Sequence, residues 1–264
     1  EPTPCLGADQ TLMRYLLAGE GERYWSQSNK PEFEGSFQKK QAELDEFYLT
    51  QKLKDACEAL FRQEVRRDEW APRLAEAVLQ EIEQNLDSYR RVPSIITHYM
   101  VYRMLSGNDP TYFQEALEVF RVHEGSFTKA EVSELYNQFK NYCLIRINQG
   151  DQAFLAKLFE LYQYQLDRGL LLEEGVLSEW NYKNIVAAGI RLRQFDWVRK
   201  FIEDYKDSLT PEFKDNAYRF NLASYHLAME EHHEAMLLLR EVEYSDLRYN
   251  LGAKTMLLQS YYEL

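Results

Sequence analysis

The sequence predicts an all-α protein built from antiparallel helix pairs, and three observations lead to this prediction. The 264-residue chain is rich in helix-favouring Glu, Leu, Ala, Gln, Lys and Arg, and it holds only 11 Gly and 7 Pro. Apolar residues recur at helical three-and-four spacing, as in Leu155, Leu158, Phe159, Tyr162 and Leu166. The connections between helices are mostly short, which favours antiparallel packing of consecutive helices.

Capping residues mark several helix ends. The segment from Thr128 to Glu131 fits a capping box, in which each of these two side chains binds the backbone N–H of the other residue. Asp109-Pro110 and Thr210-Pro211 each place a capping side chain before a proline that suits the first helical position. Four glycines follow apolar stretches, where a left-handed residue would end a helix: Gly107, Gly125, Gly150 and Gly169.

These marks divide the chain into an N-terminal extension, residues 1–35, and a helical-repeat region, residues 36–264. The extension is expected to hold one short helix near residues 9–18, followed by a polar stretch that reaches Pro31. The first helix of a further pair is expected from about residue 247. The complete predicted pairs are 42–66 with 70–86, 93–106 with 110–123, 128–149 with 151–168, 178–193 with 195–207, and 211–229 with 231–243.

A loose repeat runs through the second helices of these pairs. A small or medium apolar residue is followed four residues later by another apolar residue, and the motif recurs at steps of 41, 39, 43 and 37 residues. The first residue lets the second helix lean closely on the first helix, and the other fills the gap beyond. The motifs are Ala75 with Leu79, Ala116 with Phe120, Leu155 with Phe159, Val198 with Ile202, and Ala235 with Leu239.

The segment from Asn221 to Met229 resembles the first helix of a tetratricopeptide repeat. Leu222-Ala223 stand where the family has Leu-Gly, and His226 stands where it has Tyr. Ala235 and Leu239 then take the small and bulky positions of the second helix. The resemblance is best over residues 178–264. Its best unit lacks the family's Trp and terminal Pro, and Ala223 replaces the family's Gly. Its period exceeds the family's 34 residues, so a divergent helical repeat of another kind is an alternative.

The resemblance implies a right-handed α-solenoid of about five to six antiparallel helix pairs. It also implies a non-enzymatic scaffold that binds a partner protein or peptide on its concave face. Asn184 and Asn221 stand at a first-helix position whose side chain points into the groove of peptide-binding members. Tyr218 and Tyr225 are further candidates, because tyrosine is enriched at interfaces, although solenoid cores also bury tyrosine rings.

Charge and composition restrict the partners. The formal net charge of −12 argues against nucleic acids and anionic membranes, and it favours solubility or a basic partner. An RNA-binding helical repeat is therefore a disfavoured alternative. No apolar run reaches membrane-spanning length, so no membrane span is expected. The three widely spaced cysteines, Cys5, Cys57 and Cys143, form no disulfide framework and indicate a reducing, cytoplasmic location.

No catalytic residue, metal site or cofactor is predicted. The sequence contains no glycine-rich phosphate loop and no Gly-x-Ser-x-Gly motif. The adjacent His232 and His233 point about 100° apart on a helix and converge poorly on one metal ion. An enzyme whose site lies across the superhelix remains the competing class.

The last residues, Tyr261-Tyr262-Glu263-Leu264, continue an apolar helical pattern without a stop signal. We therefore expect a chain truncated at its C-terminus, whose uncapped last helix pairs with further repeats or with another copy. This leads to a further alternative function: a helical-repeat regulatory segment of a larger protein whose active domain lies outside this chain.

Overall fold

The computed structural model describes residues 8–28, 33–66, 70–107, 109–242 and 247–263. Within these ranges the chain forms thirteen α-helices and one hairpin of two very short strands, which confirms the all-α prediction. No helix among the described residues combines the length and the apolar character needed to cross a membrane. Cys5, Pro31 and Leu264 lie outside the described residues.

The chain divides into two compact units, residues 1–139 and 140–264, with the boundary inside helix α7. The helices of the first unit are α1 (Ala8–Ser28), α2 (Phe33–Arg66), α3 (Ala75–Gln84), α4 (Leu86–Tyr89), α5 (Pro93–Ser106), α6 (Thr111–His123) and the start of α7 (Lys129–Asn148). The second unit adds α8 (Ala153–Asp167), β1 (Leu172–Glu173), β2 (Val176–Leu177), α9 (Glu179–Arg191), α10 (Phe195–Tyr205), α11 (Lys214–Ala228), α12 (His232–Arg240) and α13 (Leu247–Glu263). Short 3₁₀ helices cover Glu124–Ser126 and Lys206–Ser208.

The first unit begins with a long helical hairpin. Helix α1 packs along α2, and α2 packs against α5. Both helices exceed the predicted bounds, because α1 extends to Ser28 and α2 begins at Phe33. Ion pairs join the hairpin where apolar periodicity is weak: Arg14 contacts Glu43 at 3.1 Å, and Lys40 contacts Glu22 at 2.6 Å. Residues 19–28 therefore belong to α1 and not to the predicted polar stretch, and residues 33–41 belong to α2.

The core of the first unit is an aromatic cluster between α6 and α7. The Phe120 ring meets the Tyr136 ring edge-on at 4.9 Å and stacks on Phe139 at 5.9 Å. Phe113 meets Phe139 edge-on at 5.8 Å, and all four rings are buried. The predicted capping box starts α7, because the Glu131 N–H donates to Thr128 Oγ1 at 3.3 Å and the Thr128 N–H donates to Glu131 Oε2 at 3.1 Å.

The second unit contains the best-matched pairs. Helix α9 packs against α10 and α11, and α11 packs against α10, α12 and α13. The predicted bounds are close to these helices, with one clear difference at the start of α11. Thr210-Pro211 does not begin this helix, because residues 211–213 form turns and α11 starts at Lys214.

In three successive helix pairs, the same type of turn connects the first helix to the second. The residues Gly150, Arg193 and Glu230 adopt left-handed conformations, with φ of 100°, 57° and 63°. After each of them, the next N–H donates to the carbonyl five residues back, as in the bond from Gln194 to Gly189 at 2.9 Å, which is the Schellman pattern. Each left-handed residue stands five positions before a buried repeat residue, and these residues are Leu155, Val198 and Ala235.

The glycine predictions have mixed outcomes. Gly150 and Gly169 adopt the left-handed conformation expected at helix ends. Gly107 does not adopt the left-handed conformation. Its backbone is extended, with φ of −89°, and its N–H still donates to the Arg103 carbonyl of the preceding helix. Gly125 lies within the 3₁₀ helix that continues α6, so it does not end that helical segment.

Glycine should improve the two turns that lack it. We expect Arg193→Gly and Glu230→Gly each to raise the free energy of unfolding by about 0.5–1 kcal/mol, since a side chain at positive φ is strained. Gly150→Ala is the matched opposite change and should lower it by about 1 kcal/mol. Urea denaturation of the three variants measures these differences. A lower stability of Arg193→Gly would contradict the explanation.

The short hairpin β1–β2 was not predicted. Leu172 pairs with Leu177, and Glu173 pairs with Val176, in antiparallel register. The connecting residues Glu174 and Gly175 both have positive φ, which suits a two-residue hairpin turn. Strands of two residues leave too little alternation to be recognised in a sequence.

Candidate functional site

An aromatic–lysine patch, formed by Trp180, Lys183, Phe220 and Tyr249, lies on three helices of the second unit. Ser178 caps the start of α9, and its hydroxyl accepts a hydrogen bond from the Asn181 N–H at 3.2 Å. Trp180 and Lys183 therefore fall in the first turns of α9, three residues apart and on neighbouring positions of the helix surface. Phe220 comes from α11, and Tyr249 comes from α13.

The lysine lies among three rings. Its Nζ atom is 5.3 Å from the ring centroid of Phe220, 5.9 Å from that of Tyr249 and 6.0 Å from that of Trp180. The Phe220 and Tyr249 rings are buried and lie 5.0 Å apart. Trp180 is 51% exposed. The patch thus consists of two buried rings, a lysine ammonium group that contacts them and a half-exposed tryptophan beside this lysine.

Lys183 has no acidic partner among the described residues. In the part of the chain that the structure describes, no carboxylate forms an ion pair with its ammonium group, and no acceptor receives a hydrogen bond from it. Cation–π contacts of this geometry contribute about 0.5–1 kcal/mol each at exposed sites. These contacts with the rings use no hydrogen-bond acceptor, so the N–H donors of the ammonium group can bind a ligand. This is a notable arrangement in a protein with a net charge of −12.

Gly252 permits the close packing of α13 on α11 beneath the patch. A Cβ atom on Gly252 of α13 would lie 3.0 Å from the Phe220 ring, so the absence of a side chain permits the close approach of α13 to α11. Ser224 also joins these helices, since its hydroxyl lies 3.4 Å from the Met256 sulfur. The two buried rings are therefore fixed by packing, which presents Lys183 in a defined position.

Asn184 lies beside the patch. It is exposed and stands four residues after Trp180, on the stripe of α9 that continues through Ala187 and Arg191. Burial raises the pKa of Tyr162 on α8 to about 12, and the Asn184 side chain opposes the increase. Asn184 therefore lies near Tyr162, at the edge of the surface that carries Trp180.

Tyr218 and Tyr225 lie on a different side of α11, against α10. The Tyr218 hydroxyl donates to Glu203 Oε1 at 3.1 Å, and both groups belong to a cluster that includes Lys206. Tyr225 meets the ring of Phe195 at 6.5 Å and lies 5.8 Å from the Arg199 guanidinium carbon. Both tyrosines are half-buried, and the structure does not bring them to the aromatic–lysine patch.

Asn221 is buried. Its side chain is directed into its own helix, where Nδ2 donates to the Ala217 carbonyl at 2.8 Å, and the residue is 1% exposed. An asparagine placed in this way satisfies the backbone of α11 and has no surface to offer to a ligand. We therefore place Asn221 in the packing of the second unit and not in a binding surface.

The sequence reasoning missed Trp180 and Lys183. The rings that surround Lys183 come from three helices and are separated by up to 69 residues along the chain, so no local motif connects them. The one local signal is a large aromatic residue and a lysine spaced three apart in the first turns of α9. Such a pair is common on helix surfaces, and only the contacts across α11 and α13 distinguish this one.

The remaining reactive groups offer no comparable site. Among the described residues, no group of three or more His, Cys, Asp or Glu side chains could hold a metal ion. Cys57 and Cys143 are buried free cysteines, and burial raises the pKa of both thiols. Lys140 is 6% exposed, and burial lowers its pKa to about 8. All three residues are therefore part of the core packing.

The last helix also has an open apolar side. Leu251, Leu258 and Tyr262 of α13 are 77%, 72% and 87% exposed, and their spacing places them along one stripe. Nothing in the structure shows what covers this stripe, so self-association through α13 stays a prediction.

Comparison of the chain with protein-family models, with curated proteins and with solved structures finds no match.

Proposed function

We propose that the protein is a non-enzymatic interaction module that binds a partner protein or peptide on the face of α9, α11 and α13. The aromatic–lysine patch is the observation that carries this proposal. It combines a half-exposed tryptophan with a lysine that has no acidic partner among the described residues. Tryptophan is among the residues most enriched at the energetic centres of protein interfaces.

The repeat supports the same proposal. We infer a tetratricopeptide-like solenoid, in which the first helices of successive pairs pack side by side. The contacts of α11 with both α9 and α13 fit this arrangement. The same turn, at Gly150, Arg193 and Glu230, connects the two helices of three successive pairs. In a solenoid the aligned first helices provide an extended surface, and the patch is formed by residues of α9, α11 and α13, which we infer to be such first helices.

The charge of the protein favours a protein partner over a nucleic acid. With 43 acidic and 31 basic residues, the chain repels a phosphate backbone, and its basic residues form no long stripe. The buried free thiols Cys57 and Cys143 fit the reducing conditions of a cytoplasmic location, which we include in the proposal.

Removal of the exposed tryptophan should weaken partner capture. We expect Trp180→Ala to reduce the recovery of specific partners from extracts of the source cells by at least about tenfold, because tryptophan truncation at an interface centre costs about 2 kcal/mol or more. Quantitative mass spectrometry of captured proteins measures the effect. Val122→Ala is the control, since Val122 is 79% exposed and lies on α6. Equal recovery with both variants would exclude the patch as the binding surface.

A further inference from the structure

We propose that the aromatic–lysine patch binds an internal acidic residue of an extended partner segment, together with an apolar side chain two positions away. This inference rests on the proposed function and specifies the chemistry of the partner. The acidic side chain would contact Lys183, and the apolar side chain would lie on Trp180. The argument comes from the charge, the exposure and the spacing of these two residues.

The positive charge of Lys183 is the reason to expect an acidic side chain in the partner segment. Its ammonium group has no acidic partner and no hydrogen-bond acceptor among the described residues, while the Phe220 and Tyr249 rings cover its inner side. A carboxylate that approaches from the open side would accept charge-assisted hydrogen bonds from the ammonium group. The cation is already partly desolvated by the rings, so less water must be removed when the carboxylate binds.

The exposed indole surface of Trp180 is the reason to expect an apolar side chain in the partner segment. About half of its side chain remains open, although Phe220 and Tyr249 beside it are closed. An indole ring offers a large flat apolar area with low conformational entropy cost, so a leucine, methionine or aromatic side chain would gain contact there. The two recognition elements are thus different in kind and adjacent in space.

The distance between these elements sets the spacing in the ligand. The Lys183 Nζ atom lies 6.0 Å from the Trp180 ring centroid. In an extended peptide, side chains on the same face are two residues apart and about 6.5 Å from one another. An acidic residue at one position and an apolar residue two positions away therefore match the patch. The net charge of −12 opposes long acidic runs, so the segment should carry few acidic residues.

A peptide selection tests this proposal. The full chain would select from a phage library of random 12-residue segments that are flanked on both sides, so that no free C-terminus is displayed. Selected peptides would then be synthesised with blocked ends and titrated against Lys183→Met, Trp180→Ala and Lys200→Met. Lys183→Met retains the aliphatic contacts with the rings and removes the charge, whereas Lys200 on α10 is exposed and serves as the control. Thermal unfolding would verify that each variant is folded.

The expected result is enrichment of Asp or Glu two positions from an apolar residue, with affinity reduced at least about tenfold by Lys183→Met and unchanged by Lys200→Met. Peptides that depend on Trp180 but lack the acidic residue, or that bind Lys183→Met equally well, would overturn the inference and leave the proposed function standing. Selection that yields no peptide dependent on Trp180 would overturn both. Binding that requires a free C-terminal carboxylate would also overturn the inference.

Discussion

The stability of the unit that contains His98 is expected to fall by about 3 kcal/mol as the pH decreases from about 6.5 to 4. His98 is 3% exposed in α5, and its Nδ1 atom lies 2.7 Å from the Ser94 carbonyl, to which it donates. Burial is the main cause that lowers its pKa to about 4, and the Lys54 charge adds to it. The bond to Ser94 and the Glu131 charge oppose the decrease.

The sign of the effect follows from the two states. Below pH 6.5 the unfolded chain takes up a proton at His98, whereas the folded protein does not until about pH 4. The unfolded state therefore gains stability across this window, and the folded protein loses stability as the pH falls. Above pH 6.5 the imidazole is neutral in both states, and His98 contributes no pH dependence.

Urea denaturation between pH 7 and pH 4 measures this effect. His98→Asn keeps a donor for the Ser94 carbonyl but cannot be protonated, so its stability should decrease less than that of the wild type over the same range. The carboxylates titrate in both proteins, so their contribution cancels when the free energy of unfolding of His98→Asn is subtracted from that of the wild type at each pH. His123→Asn is the matched control in the neighbouring helix α6. Parallel curves for wild type and His98→Asn would contradict the prediction.

Gly189→Ala is expected to lower the free energy of unfolding of the second unit by about 2 kcal/mol, although alanine normally favours a helix. A Cβ atom at this position would lie 2.4 Å from Val198 Cγ2 and 3.1 Å from Phe159 Cε2. Both neighbours are buried, so neither can move away without disturbing the packing of α8, α9 and α10. The loss from overpacking should exceed the gain in helix propensity.

The matched control is the same substitution where space is open. Gly21 lies within α1, and no atom comes within 4 Å of its added Cβ. Gly21→Ala should therefore raise stability by about 0.5–1 kcal/mol through helix propensity alone. Thermal denaturation of the two variants compares the effects. A gain in stability with Gly189→Ala would show that α9 and α10 are not packed as closely as described.

Buried positions in the second helices of three pairs could be predicted from the sequence because they follow the spacing of packing residues. The spacing of Leu155, Val198 and Ala235 reflects three buried positions, each five residues after the same left-handed turn. Two of these turns lack glycine, so their conformation could not be read from the residue type. Arg193 and Glu230 adopt it because the helix-ending hydrogen bonds around them outweigh the local strain.

The candidate binding residues were harder to predict, because a motif does not determine which of its positions are covered by neighbouring helices. Asn184 and Asn221 stand nine positions before the left-handed residues Arg193 and Glu230, so they share one position within their helix pairs. Asn184 is nevertheless exposed, whereas Asn221 is buried. Their different burial therefore depends on what packs against each helix, which the motif does not contain.

The aromatic–lysine patch is tested most directly by crosslinking from its exposed residue. Trp180 would be replaced by the photoreactive amino acid p-benzoylphenylalanine in the source cells, and Val122 would be replaced in a parallel sample. Irradiation followed by mass spectrometry would identify covalent adducts. A protein adduct that forms from position 180 and not from position 122 is the predicted result. No adduct at position 180, or the same adducts from both positions, would contradict an interaction module that binds through this patch.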